Sequence, residues 1–369
     1  MNPLFTIFID VYWGLDLFKE SLSRIRSQTY DNLEIIISNN GSGEEIKNLI
    51  KESSEKDKRI KVINYKDNIF SYKDPALTWA LLCNDALKIA EGEFIFYQSY
   101  DDLMCVDYVE RMVKLFDENA LCSSAAGLPV SLDIKGNIAE EEITNRTSNL
   151  RQRYMEGHKM VLDYLDPEKS KVFSAPGTIF TFRKETLKKY GGFHRSIESS
   201  QLYGIVPFGI TGFDEEAIFY WRRHEGQLNK ELIKHGHCGV KEFYSMLNDF
   251  NVQKNWEVFG EETAKLVVGE ASKRINEHAA SLTAINLLNL NLRGAIKIMM
   301  DCFWKENYLY YLLKHLWENK ILLVISFINL FKFILKPLTN LIIKILPINL
   351  SQSNKLSRLH KFLNKKIIK

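Results

Sequence analysis

The last fifty residues of this 369-residue chain contain no aspartate or glutamate. They carry ten Lys or Arg, so residues 1–319 hold 39 basic against 46 acidic side chains, a net of −7 beneath a whole-chain total of +3. A cationic appendage on an acidic body, apolar-rich and without interleaved Arg and aromatics, argues against a nucleic-acid binder. The five cysteines form no CxxC pair, which excludes a zinc ribbon or a redox dithiol; they read as free thiols of a reducing compartment. The opening MNPLFTIFID has no basic segment ahead of an apolar one, so no signal peptide is expected and a cytoplasmic setting is. No apolar run reaches the roughly twenty residues that span a bilayer, and there is no internal repeat. With 46% hydrophobic and 12% aromatic residues, the chain nevertheless has enough to bury a sizeable core.

What is present alternates. Short β-branched and aromatic runs at 5–11, 33–38, 59–65 and 93–98 predict strands, and amphipathic charged segments at 16–28, 44–58 and 75–90 predict the helices between them. Such βαβ units build a mostly parallel sheet, and ligands bind at the carboxyl ends of its strands. A helix is expected over 106–118. VFSAPGTIFTFRKETLKKYGGF reads as turn, strand, helix and glycine stop, and 214–224 and 240–319 read as largely helical.

The fourth strand runs into Gln98-Ser99-Tyr100-Asp101-Asp102. Carboxylates at the mouth of a parallel sheet can hold a hard divalent cation against a diphosphate. Taken alone, the pair serves equally to cap the following helix.

The surroundings carry more. The opening segment, with Gln28-Thr29-Tyr30, Glu34 to Ile37 and Asn40-Gly41-Ser42, resembles the start of family 2 glycosyltransferases. NDALKIAEGEFIFYQSYDD is similar to that family's next block, in which Asn84, Ala90, Gly92 and Glu93 match and Asp101 falls on the second Asp of Asp-x-Asp. The resemblance implies an α/β GT-A fold, a Rossmann-like, mostly parallel sheet with flanking helices, here followed by a C-terminal helical region. It implies transfer, with inversion, of a sugar from a nucleotide diphosphate sugar to an acceptor hydroxyl, with Mn2+ or Mg2+ bridging the diphosphate. Tyr12, Asn39, Asn40, Ser99 and Asp101 would then face the donor nucleotide, with Asp101 on the metal and Asp102 toward the acceptor. Ser99 replaces the first Asp of the motif, and Asn39-Asn40 replace an Asp pair; as a donor and acceptor in one group, the amide of Asn40 suits a uracil edge, which favours a UDP-sugar.

The resemblance also implies a general base on a helix of Glu-Asp-x-x-Leu-x-x-Arg type. Counting back from Arg222 puts Glu215 and Glu216 on the acidic pair, with Glu216 as the base and Asp214 or Glu215 as substitutes. The same acids could instead complement a helix dipole. Arg183 and Gly192, in the strand, helix and Gly-Gly-Phe that look like the family's acceptor-side segment, are expected beside the acceptor. In His235-Gly236-His237-Cys238 the donors are too few for structural zinc; the resemblance implies that His237, or His235, approaches the metal and diphosphate, and a surface loop with no ligand is the alternative.

In the tail, ILLVISFINLFKFIL (321–335) is apolar, yet Ser326, Asn329, Lys332, Lys336, Thr339, Asn340 and Lys344 fall within an arc of about 140° on a helix. A basic amphipathic helix suits an anionic membrane surface; packing on the body or on a second copy is the alternative. The expected organisation is a catalytic domain over 1–230, a helical extension over 231–319 and a membrane-associating tail over 320–369. Together these features predict an enzyme on the cytoplasmic face of a bacterial membrane, building a surface polysaccharide on a glycan or lipid-linked acceptor. Two rivals are a sugar-phosphate nucleotidyltransferase, against which stands DVYWGLDLF where a Gly-rich signature loop belongs, and a scaffold that keeps the fold without the chemistry.

Overall fold

The computed structural model describes residues 2–138, 152–166, 180–289 and 291–318. The tail, and with it every expectation for 320–369, lies outside the described residues.

Strand β1 (Phe5–Val11), helix α1 (Leu15–Arg26), β2 (Leu33–Asn40), α2 (Glu44–Lys56), β3 (Ile60–Tyr65), α3 (Pro75–Ile89) and β4 (Phe94–Ser99) follow the expected alternation. All eight residues of β2 are buried, as befits a parallel strand covered on both faces. On α1 the buried stripe is Phe18, Leu22 and Ile25. After β5 (Leu103–Met104) come α4 (Tyr108–Glu118), β6 (Cys122–Asp133), β7 (Tyr154–Glu156), α5 (Gly157–Leu165), β8 (Phe180–Arg183), α6 (Lys184–Lys189) and α7 (Ile197–Gly204). The chain continues as β9 (Ile210–Arg223), α8 (Leu228–Lys234), α9 (Val240–Asp249), α10 (Val252–Trp256), α11 (Glu261–Leu288), α12 (Leu292–Cys302) and α13 (Tyr308–Glu318).

The strands form one sheet in the order β3-β2-β1-β4-β8-β6-β9-β5, with β7 on β9. β1 pairs in parallel with both β2 and β4, and β2 with β3, so all four present their carboxyl ends on one edge. β8 then enters antiparallel to β4. This is the mixed α/β GT-A architecture expected from the sequence.

The segment 214–224 is not a helix. Ala217 and Phe219 are buried while Ile218 and Tyr220 are only half-buried, and this period of two belongs to a strand between neighbours. β6 pairs with it in parallel and β5 antiparallel, with an irregularity opposite Gly127 and Leu128. The expected boundary at 230 marks no break in the core: Phe243, Met246, Trp256 and Val267 of the helical region belong to the same apolar cluster as the sheet. A second cluster joins α11, α12 and α13 through Ala280, Ile298 and Leu312.

Candidate active site

β4 delivers Ser99 and then Asp101 and Asp102 to the carboxyl edge of the sheet. The β5–β9 register, Leu103 opposite Tyr220, sets the next residues along β9 against these acids. The backbone N–H of Arg222 donates to Asp102 Oδ1 at 3.0 Å, and its Nε donates to the Asp101 carbonyl at 3.0 Å. Its other end reaches Glu20 at 2.7 Å. The Gln98 side chain bridges the Ser21 hydroxyl and the Asp102 carbonyl, tying α1 to the same turn.

Asp101 is held from two sides. The Ser99 hydroxyl donates to its Oδ1 at 2.6 Å, and His224 Nε2 lies 3.0 Å from its Oδ2, both side chains being recessed. Asp10, at the end of β1, accepts from the Tyr97 hydroxyl at 2.6 Å; burial, helped by the negative charge of Asp101, raises its pKa to about 6. Asp102 is pushed well above the ordinary carboxylate range, chiefly by burial and then by Asp101, against the pull of Arg222. One small region thus concentrates three carboxyl groups, two of which resist ionisation. A divalent cation bound beside them would favour their ionised forms.

The donor set fits such an ion. Among the described residues no three His, Cys, Asp or Glu side chains cluster as a complete cage. Asp101 and His224 offer one carboxylate and one imidazole, leaving further positions for substrate oxygens, which is how cations shared with a diphosphate are held. A mixed oxygen and nitrogen pair suits Mn2+ better than Mg2+, which demands oxygen.

Aromatic rings border this point. Tyr12 and Trp13, 44% and 47% exposed, follow β1, and the Trp13 ring lies 6.2 Å from Tyr100. Gly14 adopts φ +80° as it opens α1, and a Cβ there would sit 2.6 Å from the Tyr100 ring. Only glycine combines that backbone with that contact.

Other expected residues are placed differently. Asn39 donates to Asn64 and accepts from the N–H and hydroxyl of Ser42, while Asn40 donates to Asn68 and accepts from the Ile69 N–H. Both are almost fully buried and shape the exits of β2 and β3; they do not present a free amide edge to a base. Arg183 lies opposite Phe94 in the β4–β8 register, where it bonds Glu93 and the Cys122 carbonyl and stacks over Phe94 and Phe116. Five strand residues, about 16 Å, separate that end of β4 from Ser99, so Arg183 braces the far edge of the sheet instead of an acceptor. Gly192 takes φ +80° beside Asn84, whose side chain bonds both the N–H and the carbonyl of Phe193.

The acids of β9 are also remote. Asp214 lies 3.7 Å from Arg111 and 3.8 Å from Arg153, and Glu216, 71% exposed on its side chain, pairs with Arg111 at 2.5 Å. Glu215 is exposed beside them. The stretch from Ile218 to Arg222 alone covers about 13 Å, so neither Glu215 nor Glu216 stands with Asp101. His237 packs against Lys297 at 3.0 Å, and burial with that cation lowers its pKa; His235 stacks on Tyr72. The histidine at the site is His224, which the helical reading of 214–224 hides. Read with a period of two, the segment ends as a strand at Arg223 and leaves His224 at its carboxyl end, beside Asp101.

A sequence model of glycosyl transferase family 2 matches residues 6–191. Over 160 residues the chain is 30% identical to a putative glycosyltransferase, EpsH, of Bacillus subtilis, covering 43% of this chain and 41% of that protein. Over 117 residues it is 32% identical to an uncharacterised glycosyltransferase of Haemophilus influenzae, covering 32% of this chain and 34% of the other. The chain thus spans less than half the length of these relatives. Among solved structures, the mannosyltransferase PcManGT of Pyrobaculum calidifontis in complex with GDP-Man and Mn2+ is 14% identical, with a TM-score of 0.47, covering 82% of this chain and 88% of that one. S. aureus TarS 1-349 in complex with UDP-GlcNAc is 13% identical, with a TM-score of 0.47, covering 85% and 91%.

Proposed function

The chain belongs to glycosyl transferase family 2, and from that premise we propose that it transfers a sugar from a nucleotide diphosphate sugar to an acceptor hydroxyl. The observation that carries this reading is the pairing of Asp101 with His224 at the carboxyl edge of a parallel sheet.

Asp101 and His224 would hold a divalent cation, which when bound would supply positive charge against the departing diphosphate. The chain's own residues orient that arrangement. Ser99 fixes one oxygen of Asp101, Arg222 locks Asp102 in place, and Tyr12 and Trp13 offer ring faces at the mouth for base or sugar. The acceptor oxygen forms a bond to the anomeric carbon as the bond to phosphate breaks, with inversion; its proton passes to a carboxylate base and the nucleoside diphosphate leaves. Glu216 pairs with Arg111 away from Asp101, so Glu216→Gln is expected to keep kcat near wild type; a loss of at least about a hundredfold with donor binding retained restores the base to β9.

We further propose a UDP-sugar donor, a glycan or lipid-linked acceptor, and a role in bacterial surface polysaccharide synthesis at the cytoplasmic face of the membrane, to which the basic tail holds the enzyme. The test is a screen of UDP- and GDP-sugars for hydrolysis or thermal stabilisation with and without Mn2+. Metal-dependent stabilisation by one nucleotide class supports the reading; no response to any nucleotide sugar removes it and favours a scaffold.

A further inference from the structure

Helix α12 is apolar on two faces. Its inner face buries Ala295, Ile298 and Cys302 against α11 and α13. On the outer side Leu292, Ile296 and Met300 follow at intervals of four residues, within an arc of about 80°, and Trp304 follows in the turn after the helix; all are exposed, Met300 at 75% and Trp304 at 88%. Tyr310 and Leu313 of the next helix are exposed as well. A contiguous exposed apolar patch rimmed by polar residues marks an interaction surface, so this outer face calls for an occupant.

We propose that this α12–α13 face is a docking surface for an anionic lipid bilayer, lying flat in the headgroup region. Three observations select lipid. No carboxylate lies on the exposed stripe of α12, whose flanking charge is Arg293; Glu306, in the turn to α13, is the exposed acid nearest to Trp304 in sequence. The chain leaves α13 directly into fifty residues with ten cations and no acid, whereas the remainder is net negative and an anionic membrane would repel it elsewhere. Trp304 and Tyr310 are the ring types that settle at a membrane–water boundary. Among the described residues no helix is long and apolar enough to cross a membrane, so the contact is peripheral. The inference rests on the membrane reading of the tail and adds a second point of attachment, which fixes how the sheet's carboxyl edge is presented to a lipid-linked acceptor.

The test is flotation of the full chain with vesicles of phosphatidylglycerol and phosphatidylethanolamine. Wild type is compared with Met300→Glu/Trp304→Glu, with Leu121→Glu as an exposed-leucine control, and with a chain ending at Glu318. The double variant is expected to lose at least about tenfold in vesicle partitioning while keeping its melting temperature, and Leu121→Glu to be unchanged. Brominated lipid is expected to quench tryptophan fluorescence in wild type and less in Trp304→Phe, a readout that survives if the double variant folds poorly. Undiminished partitioning of the double variant, or equal quenching in Trp304→Phe, overturns the proposal. If only the truncation abolishes flotation, the tail reading stands and this one falls; if wild type fails to float, both fall. A wild-type dimer that the double variant converts to monomer assigns the face to a second copy and likewise overturns it.

Discussion

Asp10 shows how the site trades stability for charge. Its carboxyl has a pKa of about 6 in the folded protein against an ordinary 3.8, so the folded state binds that proton more tightly than the unfolded one and loses stability as pH rises through this window. In cation-free protein, Asp10→Asn, which can still accept from Tyr97, is expected to raise stability at pH 8 by about 2–3 kcal/mol, with the gain vanishing below about pH 4; equal stabilisation at both pH values would show that Asp10 is not the buried charge. At the same scale, the sequence made Asp101 legible, because two acids terminating an apolar strand ask for a reason. It hid the saturation of Asn39 and Asn40, since a side chain's partners depend on the loops after β2 and β3, which no local pattern specifies.

Periodicity revealed the first four strands and their helices, because buried parallel strands and amphipathic helices write their patterns locally. It misled at β9, where Asp214, Glu215 and Glu216 imitate the acidic start of a helix; the pairing with β6 is irregular here, and Asp214 reaches Arg111 and Arg153 while Glu216 reaches Arg111. The Gly-Gly-Phe turn was legible as a stop but not as a clamp: Asn84 grips Phe193 from 109 residues away, and a Cβ on Gly192 would lie 2.5 Å from its Oδ1. Gly192→Ala therefore strains a left-handed backbone and displaces that grip. Chemical denaturation is expected to show a loss of about 2 kcal/mol or more; a change below about 0.5 kcal/mol would contradict the clamp.

Taken whole, the molecule joins an acidic catalytic body to a cationic end through helices that share the body's core. The proposed membrane docking combines two kinds of attraction, and salt separates them. Raising NaCl from about 0.1 M to 1 M shortens screening from about 10 Å to about 3 Å, so vesicle binding of the full chain is expected to weaken but not vanish; complete loss would leave no part for the apolar face. The central claim remains chemical, that Asp101 and His224 together make a cation-dependent nucleotide site. It is tested most directly by calorimetric titration of UDP and GDP into wild type and His224→Ala, each with and without Mn2+. Binding by wild type that requires Mn2+ and falls at least about tenfold in the variant is the predicted result; equal affinity in both proteins, or affinity indifferent to Mn2+, would contradict it.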